Sequence, residues 1–212
     1  IPSNYKIKYK NTLNNCIKKF KLTNKKINEG GNIIGKGYNA VAYKFTYNGN
    51  MFVIKLILKT NNTIYSLFIE YLITNLLNDY DIPTGEIVYF DKLFRFLIKK
   101  YYDSSNFGNK IETLTQPMKD NLFDFFKKTI IFTIQTDIGL DTKSDNLVWD
   151  GNIWKLVDTG PRVNYLPYCF TIDLLPINKR KLSELNDTIY KIAFSKYLDV
   201  WHAEGPREEY TY

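Results

Sequence analysis

The stretch Gly139-Leu140-Asp141-Thr142-Lys143-Ser144-Asp145-Asn146-Leu147-Val148 is followed a few residues later by Lys155-Leu156-Val157-Asp158-Thr159-Gly160. Asp141, Lys143 and Asn146 stand at an Asp-x-Lys-x-x-Asn spacing, and Asp158 lies twelve residues beyond Asn146. Between them Leu147–Trp149 and Trp154–Val157 read as a tight pair of short strands turned at Asp150-Gly151-Asn152. A polar turn explains any one of these residues. It does not explain their order, which becomes informative when the upstream sequence is read with it.

Working toward the N-terminus, Val53-Ile54-Lys55-Leu56 places a lysine inside an apolar strand pattern. An uncompensated charge there is costly, so Lys55 calls for an anion. A lysine snorkelling from a sheet edge is the plain alternative. The following stretch, Ile64–Asp79, has apolar residues at helical spacing (Ile64, Leu67, Phe68, Tyr71, Leu72, Leu76). Its first acid is Glu70, which could face the strand and hold Lys55, or could lie on a solvated helix face. Further upstream comes Ile34-Gly35-Lys36-Gly37-Tyr38-Asn39-Ala40-Val41. Two glycines one residue apart let a strand-turn-strand backbone lie close over phosphates. A strand pattern follows these glycines, where dinucleotide binding needs a helix, and no Walker loop is present. Gly35, Lys36, Gly37, Tyr38, Asn39, Ala40, Lys55 and Glu70 are therefore candidate nucleotide-binding residues. Taken together the set suits phosphoryl transfer, in which one carboxylate orients a hydroxyl, a lysine neutralises the moving phosphoryl, and an Asn and an Asp hold magnesium.

These residues resemble the protein-kinase signature set, over the chain from about Asn32 to Arg162. The resemblance implies an α+β, two-lobed protein kinase-like fold, with a strand-rich N-lobe and a truncated helical C-lobe. It implies ATP and Mg2+ as cofactors. Gly35 and Gly37 would cover the phosphates, and Lys55 would bind them while paired with Glu70. Asp141 would be the catalytic base, Lys143 would support the γ-phosphate, and Asn146 and Asp158 would be the metal ligands. Several family features differ here. Gly139-Leu140 replace the usual His-Arg, Thr159 replaces the Phe of Asp-Phe-Gly, Ala40 replaces the third loop glycine, and no Ala-Pro-Glu follows. The absent arginine ordinarily receives an activation-loop phosphate, so no such phosphorylation is expected to be required. The short sequence after Gly160 and the run Asp158-Thr159-Gly160-Pro161-Arg162 resemble the minimal effector kinases that bacterial pathogens inject into eukaryotic cells. Among these the likeness is to the family that phosphorylates the host heat-shock chaperone of the ninety-kilodalton class. That resemblance implies a protein serine/threonine kinase secreted into host cytosol; a cytoplasmic protein is the other expectation.

Composition and pattern bound the rest. Of 212 residues, 44% are hydrophobic and 16% aromatic, with 17 Tyr and 14 Phe, enough for a sizeable core. The net charge of +7 sits in residues 1–28, where Lys6, Lys8, Lys10, Lys18, Lys19, Lys21, Lys25 and Lys26 meet no acid. The rest is nearly neutral, which argues against a nucleic-acid partner. We read 1–28 as a basic extension, 29–102 as a kinase N-lobe and 103–212 as a minimal C-lobe, with the boundary near Lys100–Ser104. Strands are expected at Asn32–Gly35, Ala40–Tyr47, Met51–Leu58, Glu86–Phe90 and Leu93–Lys99, and helices at Pro117–Thr136 and Leu182–Tyr197. No signal peptide or transmembrane run is visible, and a monomer is expected. Cys16 and Cys169 read as separate thiols, and a single histidine, His202, gives no zinc set. Tyr101 and Tyr102 fall where an adenine-contacting hinge would lie. Three other activities share parts of the pattern. A pseudokinase would keep the fold as a binding module, and a small-molecule kinase would need a larger acidic substrate pocket. An aspartic protease would need a second Asp-Thr-Gly, which the chain lacks.

Overall fold

A computed structural model describes residues 33–36, 40–57, 66–91, 96–103, 108, 111–160, 174–176 and 181–201. The chain is α+β, with a five-stranded antiparallel sheet and three α-helices among these residues. It divides into two compact units. Within the described residues the first comprises 33–71 and 86–101, and the second 72–85 and 102–201. The basic extension at 1–28, both cysteines and His202 lie outside the described residues. No described helix is long and apolar enough to cross a membrane.

The first unit is built on β1 (Ile33–Lys36), β2 (Ala40–Tyr47), β3 (Asn50–Ile57), β4 (Ile87–Phe90) and β5 (Phe96–Lys100), in the spatial order β1-β2-β3-β5-β4. The Asn48-Gly49 turn fixes the register of its central hairpin. Both residues adopt positive φ, 48° and 78°, and Tyr47 pairs with Asn50 across a two-residue loop. Such a turn matches the natural twist of the strands it joins. Helix α1 (Ser66–Asp79) follows, with Ser66–Tyr71 in this unit. Leu67 of α1 packs with Ile57 and Leu97, while Ile54, Ile98, Phe45 and Phe96 form a separate cluster. Strand alternation explains the split, because successive side chains of β3 and β5 point to opposite faces. Residues 64–65 of the expected helix, 58 of the expected third strand and 92–95 around β5 lie outside the described residues.

The second unit takes in Leu72–Gly85, although the sequence reading groups that segment with the strand-rich half. The reason is hydrophobic: Ile73, Leu77 and Ile82 are buried in one core with α2 (Gln116–Thr136). Helix α2 starts at Thr115, whose side chain accepts the Met118 N–H, and ends where Asp137 turns left-handed. Its expected apolar positions Leu122, Phe125, Phe126, Ile130 and Phe132 are all buried. Strands β6 (Leu147–Trp149) and β7 (Trp154–Leu156) form the small hairpin. Trp154 ties it to α2, donating from its indole to Met118 O and from its backbone to Asn121 Oδ1, both at 2.9 Å. Gly108 donates its N–H to Leu147 O at 2.9 Å, and a Cβ there would press on the Ser144 carbonyl and the Trp201 ring.

The last helix differs from expectation. Leu182–Glu184 forms a single tight turn, and α3 runs over Asp187–Val200. The Asn186 side chain accepts the Ile189 N–H at 3.1 Å, so the cap residue sets the start rather than the apolar Leu182.

The β6–β7 turn is held by Asp150, which accepts the Asn152 and Ile153 N–H groups at 3.0 Å and pairs with Lys155 at 2.8 Å. Partial burial pushes the Asp150 carboxyl up, but Lys155 and the two N–H groups outweigh it and bring its pKa from 3.8 to about 2. With the folded value below the unfolded one, this stabilisation is complete above about pH 4 and fades as pH falls toward 2. Near-ultraviolet circular dichroism of the adjoining tryptophans should register the loosening over that acid window. Asp150→Asn should remove it, leaving a hairpin signal insensitive to pH there.

Candidate functional site

In the first unit, β3 places Lys55 opposite Ala42 on one side and Leu97 on the other. Its Nζ lies 3.0 Å from both carboxylate oxygens of Glu70, which projects from the first turns of α1. Glu70 is 2% exposed. A buried carboxylate is tolerable only when cations and hydrogen bonds replace the water it has lost. Lys99 of β5 supplies a second cation, 2.9 Å from Glu70 Oε1, and is itself buried. The sequence reading missed Lys99. Lys99 shares with Lys55 its phase on an apolar strand, two residues from the buried Leu97, but the adjacent Lys100 gives the pair the look of a solvated strand end.

The glycine segment is described in part. Gly35 pairs with Ala42 in β1, at a register shift between Ile33 and Gly35, and Ala40 opens β2 opposite Ile57. The Lys36 backbone ends β1, and Gly37, Tyr38 and Asn39 lie outside the described residues. At the far end of the sheet, Tyr101 donates its backbone N–H to Met51 O at 3.2 Å, and Lys44 Nζ stands 4.2 Å from the centre of its ring.

The second unit organises Asp141, Lys143, Asn146 and Asp158 through backbone carbonyls. Ser144–Asn146 forms a tight turn in which the Asn146 N–H reaches Lys143 O. The buried Asn146 side chain donates from Nδ2 to Asp141 O at 3.1 Å. The next carbonyl, that of Thr142, accepts the hydroxyl of the buried Tyr197 from α3. Lys143 lies 3.5 Å from Asp145, both about a quarter exposed. Asp158 is brought to Asn146 by one bond across the hairpin, Val157 N–H to Asn146 O at 2.9 Å. Alongside β7, Leu156 donates to Pro83 O and accepts from Gly85 N–H, which steadies the strand entering Asp158.

Asp158 Oδ1 accepts the Gly160 N–H at 3.1 Å, so the Asp-Thr-Gly turn is closed locally. Thr159 between them is buried, and its hydroxyl meets that of Thr74 of α1 at 2.6 Å. A polar pair thus stands where the resemblance would place a phenylalanine. Among the described residues no group of three or more His, Cys, Asp or Glu could hold a metal. Asn146 and Asp158 offer oxygen ligands instead, and such a pair fits magnesium, which takes few protein ligands and fills its shell with water and phosphate oxygens. Taken unit by unit, Lys55 in the first carries a cation able to attract an anion, while in the second Lys143 carries another, Asn146 and Asp158 carry oxygen donors of the kind a hard cation takes, and Asp141 is a carboxylate able to accept a proton.

Tyr197 and Thr74 were not legible as site-supporting residues, since both act over long sequence separations. Tyr197→Phe removes only the hydroxyl and keeps the ring tilted against Phe126 and edge-on to Trp201. It is expected to cost about 1 kcal/mol by denaturant titration and to speed amide exchange across 141–146. Exchange in that loop unchanged from the wild type would deny Tyr197 this role.

No protein-family model matches the chain, and comparison with curated proteins finds no match.

Proposed function

We propose that the protein is a kinase-like phosphotransferase that passes the γ-phosphoryl group of Mg·ATP to a serine or threonine hydroxyl of a protein. The observation carrying this reading is the Lys55–Glu70 ion pair, 3.0 Å long and formed between a strand and a helix by residues fifteen apart in the chain. That pairing is what the assigned roles require of two residues chosen from sequence alone. The order Asp141, Lys143, Asn146, Asp158 and the hydrogen bonds linking Asn146 to Asp141 and Val157 support it.

In this reading Lys55, oriented by Glu70, binds the α- and β-phosphates beneath the Gly35–Ala40 segment. Asn146 and Asp158 would hold the magnesium, which would supply charge neutralisation at the phosphates. Asp141 accepts the hydroxyl proton as that oxygen bonds to the γ-phosphorus. The bond from the γ-phosphorus to the bridging oxygen breaks, its electron pair leaves with ADP, and Lys143 offsets the charge on the moving group. The short Asp-Thr-Gly-Pro-Arg resemblance extends the proposal to a bacterial effector acting in host cytosol, with the ninety-kilodalton heat-shock chaperone as candidate substrate.

Labelled ATP added with the protein to a eukaryotic lysate should mark one dominant band in the ninety-kilodalton region. Asp141→Ala or Asp158→Ala should reduce that labelling about a hundredfold or more. Labelling that survives either substitution would overturn the assignment of these carboxylates, and scattered labelling in the wild type would overturn the substrate. With threonine at 159 and no arginine before Asp141, phosphatase treatment of the enzyme should leave its rate unchanged. Inactive protein switched on by an upstream kinase would contradict this.

A further inference from the structure

Glu70 is the meeting point of two lysines, and the two are not equivalent. Lys55 Nζ spans both carboxylate oxygens at 3.0 Å, and Lys99 Nζ meets Oε1 at 2.9 Å. The Lys55 side chain is 16% exposed and that of Lys99 5%. Register places them on the same face of the sheet: Lys55 pairs with Leu97 and Lys99 with Val53, so the two lysines sit on adjoining strands one pleat apart. Both strands and the first turns of α1 belong to the same unit. Leu67, three residues before Glu70, is packed against Leu97. The lysine that follows Leu97 on its own face is therefore aimed under the helix.

We infer that Lys99 is a positioning residue for nucleotide binding: it holds Glu70, and with it the start of α1, on the sheet so that Lys55 can turn toward phosphate. This rests on the phosphotransferase reading proposed above. Breaking a buried ion pair by withdrawing one partner is strongly unfavourable, because the remaining charge is left without compensation. A lysine that binds both Glu70 and an incoming polyanion faces that cost whenever it shifts toward the ligand. Lys99 lowers it by keeping an ammonium at Oε1 while Lys55 moves. It also fixes the carboxylate rotamer, leaving Oε2 directed at Lys55. The deeper lysine is the anchor and the more exposed one the ligand-binding arm. An anchor inside the sheet also holds the helix in place without ligand and without modification of the chain.

The test compares Lys99→Met, Lys99→Arg and Lys55→Met in the whole protein. Calorimetry with Mg·ATP gives affinity, and hydrogen exchange over Ser66–Asp79 reports on the helix. Lys99→Met should weaken Mg·ATP binding roughly tenfold to a hundredfold, the scale of losing a residue that orients a binding group, and speed exchange in the first turns of α1. Lys99→Arg, which restores a cation, should recover most of both. Lys55→Met should abolish Mg·ATP binding yet leave the helix as protected as in the wild type. Wild-type affinity and wild-type exchange in Lys99→Met would overturn the inference, as would a helix loosened equally by Lys55→Met. Failure of the phosphotransferase reading would look different: the wild-type protein itself would transfer no phosphate from labelled ATP. The exchange comparison decides the anchoring of α1 in either event.

Discussion

A buried carboxylate governs the first unit. Glu70 is lodged between a helix and a sheet, where water cannot solvate it, and lysines from two neighbouring strands converge on it to offset that loss. Those lysines can converge only if β3 and β5 keep one register, which the apolar faces of the two strands specify. A slip of one residue would turn Lys55 to the opposite face and bring an isoleucine or leucine beneath Glu70. Strand alternation and burial specify the same arrangement.

The second unit solves its own positioning problem by other means. Its charged residues lie on irregular backbone, which has no ladder of hydrogen bonds to fix it. Successive carbonyls are instead captured by side chains, Asp141 O by Asn146 and Thr142 O by Tyr197. Asp158 is placed from both sides of the hairpin, by Val157 on Asn146 and by Pro83 and Gly85 along Leu156. The Thr74–Thr159 contact adds a directional bond in a buried position where a hydrophobic contact would have been indifferent to rotation.

Much of this was readable from the sequence where the determining interaction is local. The Asn-Gly hairpin, the apolar face of α2, and the two strands around Asp150-Gly151 follow from turn chemistry and periodicity. Lys55 and Glu70 could be matched because each was a lone charge in an apolar pattern. The start of α3 was misread because the apolar Leu182 was given more weight than Asn186, although an Asn followed by Asp is a strong start signal. Lys99, Thr74 and Tyr197 were missed for a different reason. Thr74 and Tyr197 look like ordinary helix residues, and only tertiary structure brings them to Thr159 and Thr142. Lys99 sits beside Lys100, and two adjacent lysines read as a solvated strand end until the pleat sends one of them inward.

The tryptophans carry a consequence of their own. All three of the chain's tryptophans, Trp149, Trp154 and Trp201, lie in the second unit, with Trp154 packed edge-on to Trp201 and tilted against Trp149. Indole fluorescence is therefore a private signal of that unit, while the first unit absorbs and emits through tyrosine alone. Exciting indole at wavelengths that tyrosine does not absorb follows the melting of the second unit alone, with no label attached.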